Sequence, residues 1–330
     1  IEVLRSSSAL LTGPGGLVGI VNIVPRMHKK REVIVSSGFG SFNTWTVHVN
    51  HGDTLGAFSY ALGAGNRSTE GPRGRNAEEN MSDFYGRVAF EPTERLSFSL
   101  TAFGLYGKRE LEQAKEPAAE KFREDLSRYD PYGAVLVVGK GRVRQTDWTM
   151  TELQLTYALR DHHFILASES DPAGTTITEK DYEYGANVIQ VVHLFDRNTA
   201  RAGCLYNRWV APNGKRFYVG RRCDLQTISA VVVDEQRIGP AALNAGYRAS
   251  RTYIDEYGAF NIEGSPKGLK KVDPVKDKWE PFAHNASVGA AYYVSDALSF
   301  HANFSFGQIE PRSGTLTVDM EQPDRETRYK

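Results

Sequence analysis

Along most of this chain apolar and polar residues alternate one for one, the period of a β-strand with two different faces. Trp45, Val47 and Val49 share one face, with Thr44, Thr46, His48 and Asn50 on the other. Phe58, Tyr60 and Leu62 alternate with Ser59, Ala61 and Gly63, and Leu96, Phe98, Leu100 and Ala102 with Ser97, Ser99 and Thr101. The same holds for Leu153, Leu155, Tyr157 and Leu159, and for Leu298, Phe300, Ala302, Phe304 and Phe306. About thirteen such strands are predicted, many near the roughly 9–11 residues that a β-strand needs to cross a bilayer.

The connections carry a second signal. Tight turns are expected at His51-Gly52-Asp53, Glu91-Pro92-Thr93-Glu94, Arg160-Asp161-His162, Phe195-Asp196-Arg197-Asn198, Gly239-Pro240 and Ser295-Asp296. Between them fall long polar excursions near residues 65–82, 108–147, 168–181 and 254–284. Short turns on one rim and long loops on the other describe an outer-membrane barrel. In the second excursion, Pro117 suits a first helical position, and Phe122, Leu126 and Tyr129 follow at helical spacing, which predicts a solvated loop helix.

Composition sharpens the fold class. The polar strand faces hold mostly Ser, Thr, Asn, Gln, Gly and Ala, suited to a wet or plugged lumen rather than to a solvated sandwich face. Tyr85, Tyr106, Tyr157, Tyr292 and Tyr293 lie near predicted strand ends, where an interfacial aromatic girdle sits. Forty basic and forty acidic residues cancel, so nothing calls for nucleic acid, which needs a basic face. No apolar run approaches the roughly 20 residues of a membrane helix. The reading is an all-β, transmembrane antiparallel β-barrel.

The densest local pattern is the stretch LRSSSALLTGPGGLVGIVNIVPR, from Leu4 to Arg26. It is no phosphate loop, because Gly19 is followed by Ile20 and Val21 rather than Lys and Ser or Thr. It is no dinucleotide fingerprint, because the third position after Gly13 and Gly15 is Val18 and a short strand follows, not a helix. Cys204 and Cys223 flank the hairpin signal Pro212-Asn213-Gly214. A two-residue turn sets the thiols opposite each other, and a bulged three-residue loop turns them to opposite faces, so a disulfide and two free cysteines both stay open. His162 and His163 are adjacent without a third ligand at a recognisable spacing, which gives no metal site. No catalytic constellation is present, so no enzyme and no cofactor is expected.

The opening stretch resembles the end of the plug domain of TonB-dependent outer-membrane receptors. The matching residues are Ile1-Glu2-Val3, Arg5, Ser8-Ala9-Leu10, Gly13, Gly15, Gly19, Val21-Asn22-Ile23-Val24 and Arg26. Ser6-Ser7, Thr12, Val18 and Pro25 depart from the family pattern. SSGFGSFNTWTVHVN is similar to the first barrel hairpin of that family, and NASVGAAYYVSDALSFHANFSFGQIEPRSGTL to its pre-terminal segment. The resemblance implies a plug remnant over residues 1–31 and a partial barrel over 32–330, about thirteen strands of an expected roughly 22. A fragment of a longer receptor is therefore expected. It also implies an importer of a scarce ligand, most often a ferric siderophore, driven by the TonB–ExbB–ExbD complex and set among outer-membrane lipid and lipopolysaccharide. By the same resemblance, Glu2 and Arg5 join charged contacts that hold the plug, with Gly13, Gly15, Gly19, Asn22 and Arg26 as its motif.

Ligand contacts are expected from loops. Arg208, Trp209, Arg216, Arg221 and Arg222 gather around the Asn213-Gly214 hairpin, where they could meet an anionic chelate or lipopolysaccharide phosphates, or be a solvated charged loop. Arg142, Arg144 and Trp148, near Tyr129 and Tyr132, form a second candidate. The competing classes are a passive barrel, such as a porin or an adhesin, and a soluble β-sandwich binding module.

Overall fold

The computed structural model describes residues 2–4, 6–12, 20–22, 28, 30–113, 126–214, 222–257, 275–295, 297–309 and 328–329. Two short strands open the chain, β1 (Glu2–Leu4) and β2 (Ile20–Asn22), paired antiparallel to each other. A 3₁₀ turn, Ser6–Thr12, follows β1. The wall then runs through β3 (Glu32–Gly40), β4 (Thr44–Leu55), β5 (Phe58–Thr69), β6 (Glu79–Thr93), β7 (Leu96–Glu110) and β8 (Arg128–Arg144). It continues through β9 (Thr149–Ser168), β10 (Asp171–Val192), β11 (Asn198–Ala211), β12 (Cys223–Ile238) and β13 (Ala241–Tyr257). The short β14 (Val275–Trp279) is followed by β15 (Ala283–Ser295), β16 (Leu298–Ile309) and β17 (Arg328–Tyr329). Thirteen of these have nine or more residues, matching the number read from alternation.

All wall strands belong to one antiparallel sheet in sequence order from β3 to β17, with β14 on the side of β13. Consecutive hairpins account for this order, since antiparallel neighbours need only a short turn. The sheet does not close among the described residues: β3 lies at one end and the two-residue β17 at the other. A β-sandwich would show a second sheet packed on the first. The described residues show instead one sheet bare of any partner sheet, apart from the β1–β2 pair.

Cross-strand register sorts the side chains into two faces. Val35↔Val49, His51↔Leu62, Val88↔Leu100, Val137↔Tyr157, Leu155↔Ala186, Val188↔Cys204 and Val232↔Tyr247 put one set on a common face. Val47, Leu62, Val88, Leu100, Val135, Leu155, Val188, Val232 and Val288 on that face are all exposed. So large an apolar surface has no place in water; it is the lipid-facing belt of a membrane barrel. Aromatics border the belt: Phe58, Phe90, Phe98, Tyr292 and Phe300 toward the short-turn rim, and Trp45, Phe84, Tyr106 and Tyr184 toward the opposite rim. Of the aromatics expected there, Tyr106, Tyr157 and Tyr292 face outward, whereas Tyr85 and Tyr293 share the lumen face with Phe103 and Ser299.

Several predicted turns move. His51, Gly52 and Asp53 lie inside β4, and the reversal falls at Gly56-Ala57, with Gly56 at φ +63°. Strand pairing decides this, because His51 Nε2 meets the Tyr60 hydroxyl at 2.9 Å on the next strand. Arg160-Asp161-His162 is no turn either. It sits in the middle of β9, which pairs with β10 as far as Asp171↔Ser168, so most of the supposed 168–181 loop is strand. Much of the 108–147 excursion is strand, because β7 runs on to Glu110 and β8 fills Arg128–Arg144. Tyr129 belongs to β8, not to a helix, and residues 114–125 lie outside the described residues. The turn at Ser41–Thr44 is also tight, with Phe42 and Asn43 at φ 60° and 50°, the two positive values a type I′ hairpin requires.

Cys204 pairs with Ala230 on the outward face and Cys223 with Ala211 on the lumen face. They are seven rungs apart, with no disulfide between them. They face opposite sides, but neither tight-turn register holds, because Ala211 rather than Cys204 or its neighbour stands across from Cys223, and a bond between the cysteines is excluded by distance.

Candidate functional site

The lumen face divides into a covered and an open part. The Ser6–Thr12 turn lies against β12, β13, β15 and β16. Its sequence, SSSALLT, supplies small residues for the close side and one large anchor. Leu10 is fully buried and packs with Ile189, Val191, Leu205, Val231 and Val233, all from the lumen face of the wall. Ser7 Oγ donates to Asn244 Oδ1 at 3.0 Å. The buried Arg248 guanidinium donates from Nη1 to the Leu10 carbonyl at 3.2 Å. An exposed 3₁₀ turn would give that carbonyl to water; here a charged donor takes its place.

Glycine allows this approach, and it is a glycine of the wall. A Cβ on Gly246 would stand 2.8 Å from Ser7 Cβ and 3.0 Å from Leu10 Cδ1. A second seat occurs near the short-turn end of β4. The buried His28 ring lies over Gly52, its Nδ1 2.9 Å from Glu32 Oε2, and the Thr54 hydroxyl donates to the His28 carbonyl. The chain thus passes from the seated turn to the wall through a fitted contact at the start of the barrel.

Above the seated segment, toward the long-loop rim, the lumen face of β8–β11 carries a polar and aromatic network. Asp181, almost fully buried, accepts from Arg160 Nε at 2.7 Å and from Trp209 Nε1 at 2.8 Å. Glu183 accepts from Arg160 Nη2 at 3.4 Å and from Asn207 Nδ2 at 3.0 Å. Two rungs higher, His162 Nε2 and Glu179 Oε2 are 3.1 Å apart, with the Tyr132 ring stacked on the imidazole at 5.2 Å. Buried charges persist only when paired, and each of these carboxylates has its partner. Arg160 and Glu183 remain partly open to the lumen and can offer a ligand both a fixed cation and a fixed anion.

The predicted site residues fare unevenly. Arg142 and Arg144 end β8 at the short-turn rim, with Arg142 Nε 3.4 Å from Glu152, and Trp148 is exposed in the adjoining turn. Tyr129 and Tyr132 are at the other end of the same strand, so this cluster is not one site. Arg208 and Trp209 point to opposite faces. Trp209 is buried in the lumen with Leu225, Ile254 and Tyr257, while Arg208 is held on the outer face by Asp224 at 2.7 Å. Arg222 joins the same Asp224. Arg216 and Arg221 lie outside the described residues, as do Arg5, Gly13, Gly15, Gly19 and Arg26. Glu2 and Asn22 are brought opposite each other by the β1–β2 pairing.

Arg160, His162, Glu179 and Asp181 escaped the sequence reading because a turn and a loop were assigned to them, and Glu183 lies just past that loop. The alternation Glu179, Asp181, Glu183, three acids on one face of a strand, was the signal that could have found them.

A sheet with an apolar belt outside, a polar lumen face inside and a seated segment within has the architecture of an outer-membrane receptor barrel. Comparison with solved structures places it in that fold. The chain is similar to the copper transporter OprC (12% identity, TM-score 0.74, 98% of this chain and 55% of that one). It is similar to the ferric-catecholate import receptor Fiu of Escherichia coli K12 (14%, TM-score 0.69, 94% and 59%). It is also similar to the ferripyoverdine receptor of the outer membrane of Pseudomonas aeruginosa (14%, TM-score 0.65, 97% and 48%). The chain thus spans about half the length of the solved structures it matches. No protein-family model matches it, and no curated protein matches it in sequence. At these identities the likeness is one of fold, and the fold is the one the resemblance to TonB-dependent receptors implies.

Proposed function

We propose that the chain is part of a TonB-dependent outer-membrane receptor, the end of its plug over residues 1–31 and the first part of its barrel over 32–330. The whole receptor takes up a scarce ligand, a ferric siderophore, with energy from the TonB–ExbB–ExbD complex. The observation that carries this reading is the Ser6–Thr12 turn seated on the lumen face, with Leu10 buried and Arg248 closing its carbonyl. A passive pore has no reason to build a fitted socket for a segment that fills its lumen. The named neighbours are a copper transporter, a ferric-catecholate import receptor and a ferripyoverdine receptor, which supports a transport reading. The Arg160–Asp181–Glu183 network is the ligand-facing surface we favour over the loop arginines, because it stands in the lumen above the seated segment.

Further strands must close the sheet, since an open strand edge leaves backbone groups unpaired in hydrocarbon. Uptake of a panel of ferric siderophores by cells carrying the whole receptor, with and without TonB, tests the proposal. Uptake that stops without TonB supports it. Equal uptake in both strains would mean a passive pore.

A further inference from the structure

The outward face leaves the lipid belt at one level on neighbouring strands. Arg251 stands ten residues beyond the start of β13, and Arg208 ten beyond the start of β11. At about 3.3 Å per residue and a tilt near 40°, that is about 25 Å above the short-turn rim, the height of the apolar band. Lys108 and Lys180 reach the outer face at about the same level on β7 and β10.

Three of these four cations are neutralised by the protein itself. Lys108 Nζ is 3.0 Å from Glu78, Lys180 Nζ is 2.8 Å from Asp161, and Arg208 is 2.7 Å from Asp224. Arg251 is different. Among the described residues no carboxylate lies within ion-pair distance of it, and its one hydrogen bond runs from Nε to the Glu280 carbonyl at 3.1 Å. Asp277 on β14 is otherwise engaged: it accepts from the Tyr253 hydroxyl at 3.0 Å, a bond that holds the phenol above its usual range.

The guanidinium is nevertheless fixed. It lies over the Trp279 ring at 4.9 Å and over the Phe282 ring at 5.3 Å, both rings about half exposed beside the belt. Beside it on the same face is Ile228, its cross-strand partner, and four residues back along β13 is Tyr247, both exposed. Aromatic contact with a cation leaves its in-plane N–H donors free, and here they face the level of lipid headgroups.

We propose that Arg251, with Trp279 and Phe282, seats the phosphate of an anionic lipid on the outer wall of the barrel, its acyl chains lying on Ile228 and Tyr247. A planar guanidinium held by two rings offers paired donors to phosphate oxygens. The ring pair supplies the apolar ledge that a lipid brings its chains to and a free anion does not need. The site is independent of the cargo, so failure of the siderophore reading leaves it standing, and its own failure leaves that reading untouched.

The test uses the protein extracted from outer membranes and reconstituted in phosphatidylcholine vesicles, with phosphatidic acid or phosphatidylcholine carrying brominated acyl chains added as quencher. Trp279 emission is taken as the difference between the protein and its Trp279→Phe variant. Quenching by the brominated phosphatidic acid is expected to be severalfold stronger than by brominated phosphatidylcholine. Arg251→Gln should abolish that preference, and Arg251→Lys should keep part of it, while Arg208→Gln leaves it intact. Equal quenching by both lipids, or a preference that survives Arg251→Gln, overturns the proposal. Removal of the preference by millimolar inorganic phosphate would reassign the site to free anions and overturn its assignment to lipid.

Discussion

Two stretches of the same lumen face teach different lessons. On β12, β13 and β15, lumen residues are sealed: Val233, Arg248, Ser250, Thr252 and Asn285 are essentially without solvent contact. On β8, Leu136 occupies an equivalent lumen-facing position and is 39% exposed. Pleat and register are alike in both regions. What differs is a seven-residue turn lying on one and not on the other. Burial around Leu10 is therefore set by the seated segment, whereas Glu179, Asp181 and His162 on β9 and β10 are buried within their own paired network. Thr227 with Thr252 and Ser229 with Ser250 form hydrogen-bonded cross-strand pairs at 2.9 and 3.0 Å, which satisfies hydroxyls that water cannot reach.

The contrast can be broken most forcefully at the anchor. Leu10→Ala leaves a cavity against Val231 and Val233 and should destabilise the seated segment by about 3 kcal/mol. Leu136→Ala, on the open stretch, should cost well under about 1 kcal/mol, because its side chain is already partly solvated. Hydrogen exchange of the amides in the Ser6–Thr12 turn measures the first; equal effects of the two substitutions on that exchange would refute the distinction.

The next largest effect is expected at the wall. Gly246→Val must displace Ser7 and Leu10, and overpacking of this kind costs about 2 kcal/mol. Susceptibility of the segment to protease added from the lumen side should rise accordingly. Arg248→Met keeps the bulk but leaves the Leu10 carbonyl buried without its donor, a loss of about 1–2 kcal/mol on the same assay. If Arg248→Met proves as protected as the parent protein, the guanidinium is only filling space.

The smallest effect sharpens the comparison from the other side. Gly139 faces outward on β8, and a Cβ there would meet only Leu100 Cδ1 at 4.0 Å. Gly139→Ala should be neutral or stabilising by up to about 0.5 kcal/mol, through lower entropy of the unfolded chain. The thermal midpoint of the folded barrel reads this directly, and a large drop would show that some other demand keeps glycine at this position.

How much was legible in the sequence follows from range. Alternation is local, so strand existence and the sorting of Val47, Leu100 or Val188 to one face could be read directly. The hairpin at Gly239-Pro240 was equally plain. Arg160-Asp161-His162 misled because charged and turn-forming residues normally mark a reversal, and here they continue a strand whose lumen face buries them in pairs. The partners of that network come from β10 and β11, some 20 to 50 residues away along the chain, and no local pattern announces them.

The sequence by itself determined the two-faced strands, the count of them and the presence of a compact, small-residue segment ahead of the wall. These are consequences of period, composition and spacing, which act between near neighbours. Tertiary structure alone decided that Leu10 is the anchor, that Gly246 is the glycine making room for it, that Arg208 and Trp209 part to opposite faces, and that Arg251 has no carboxylate beside it among the described residues. Each of these depends on which strands the sheet sets side by side, and so on contacts between residues far apart in the chain.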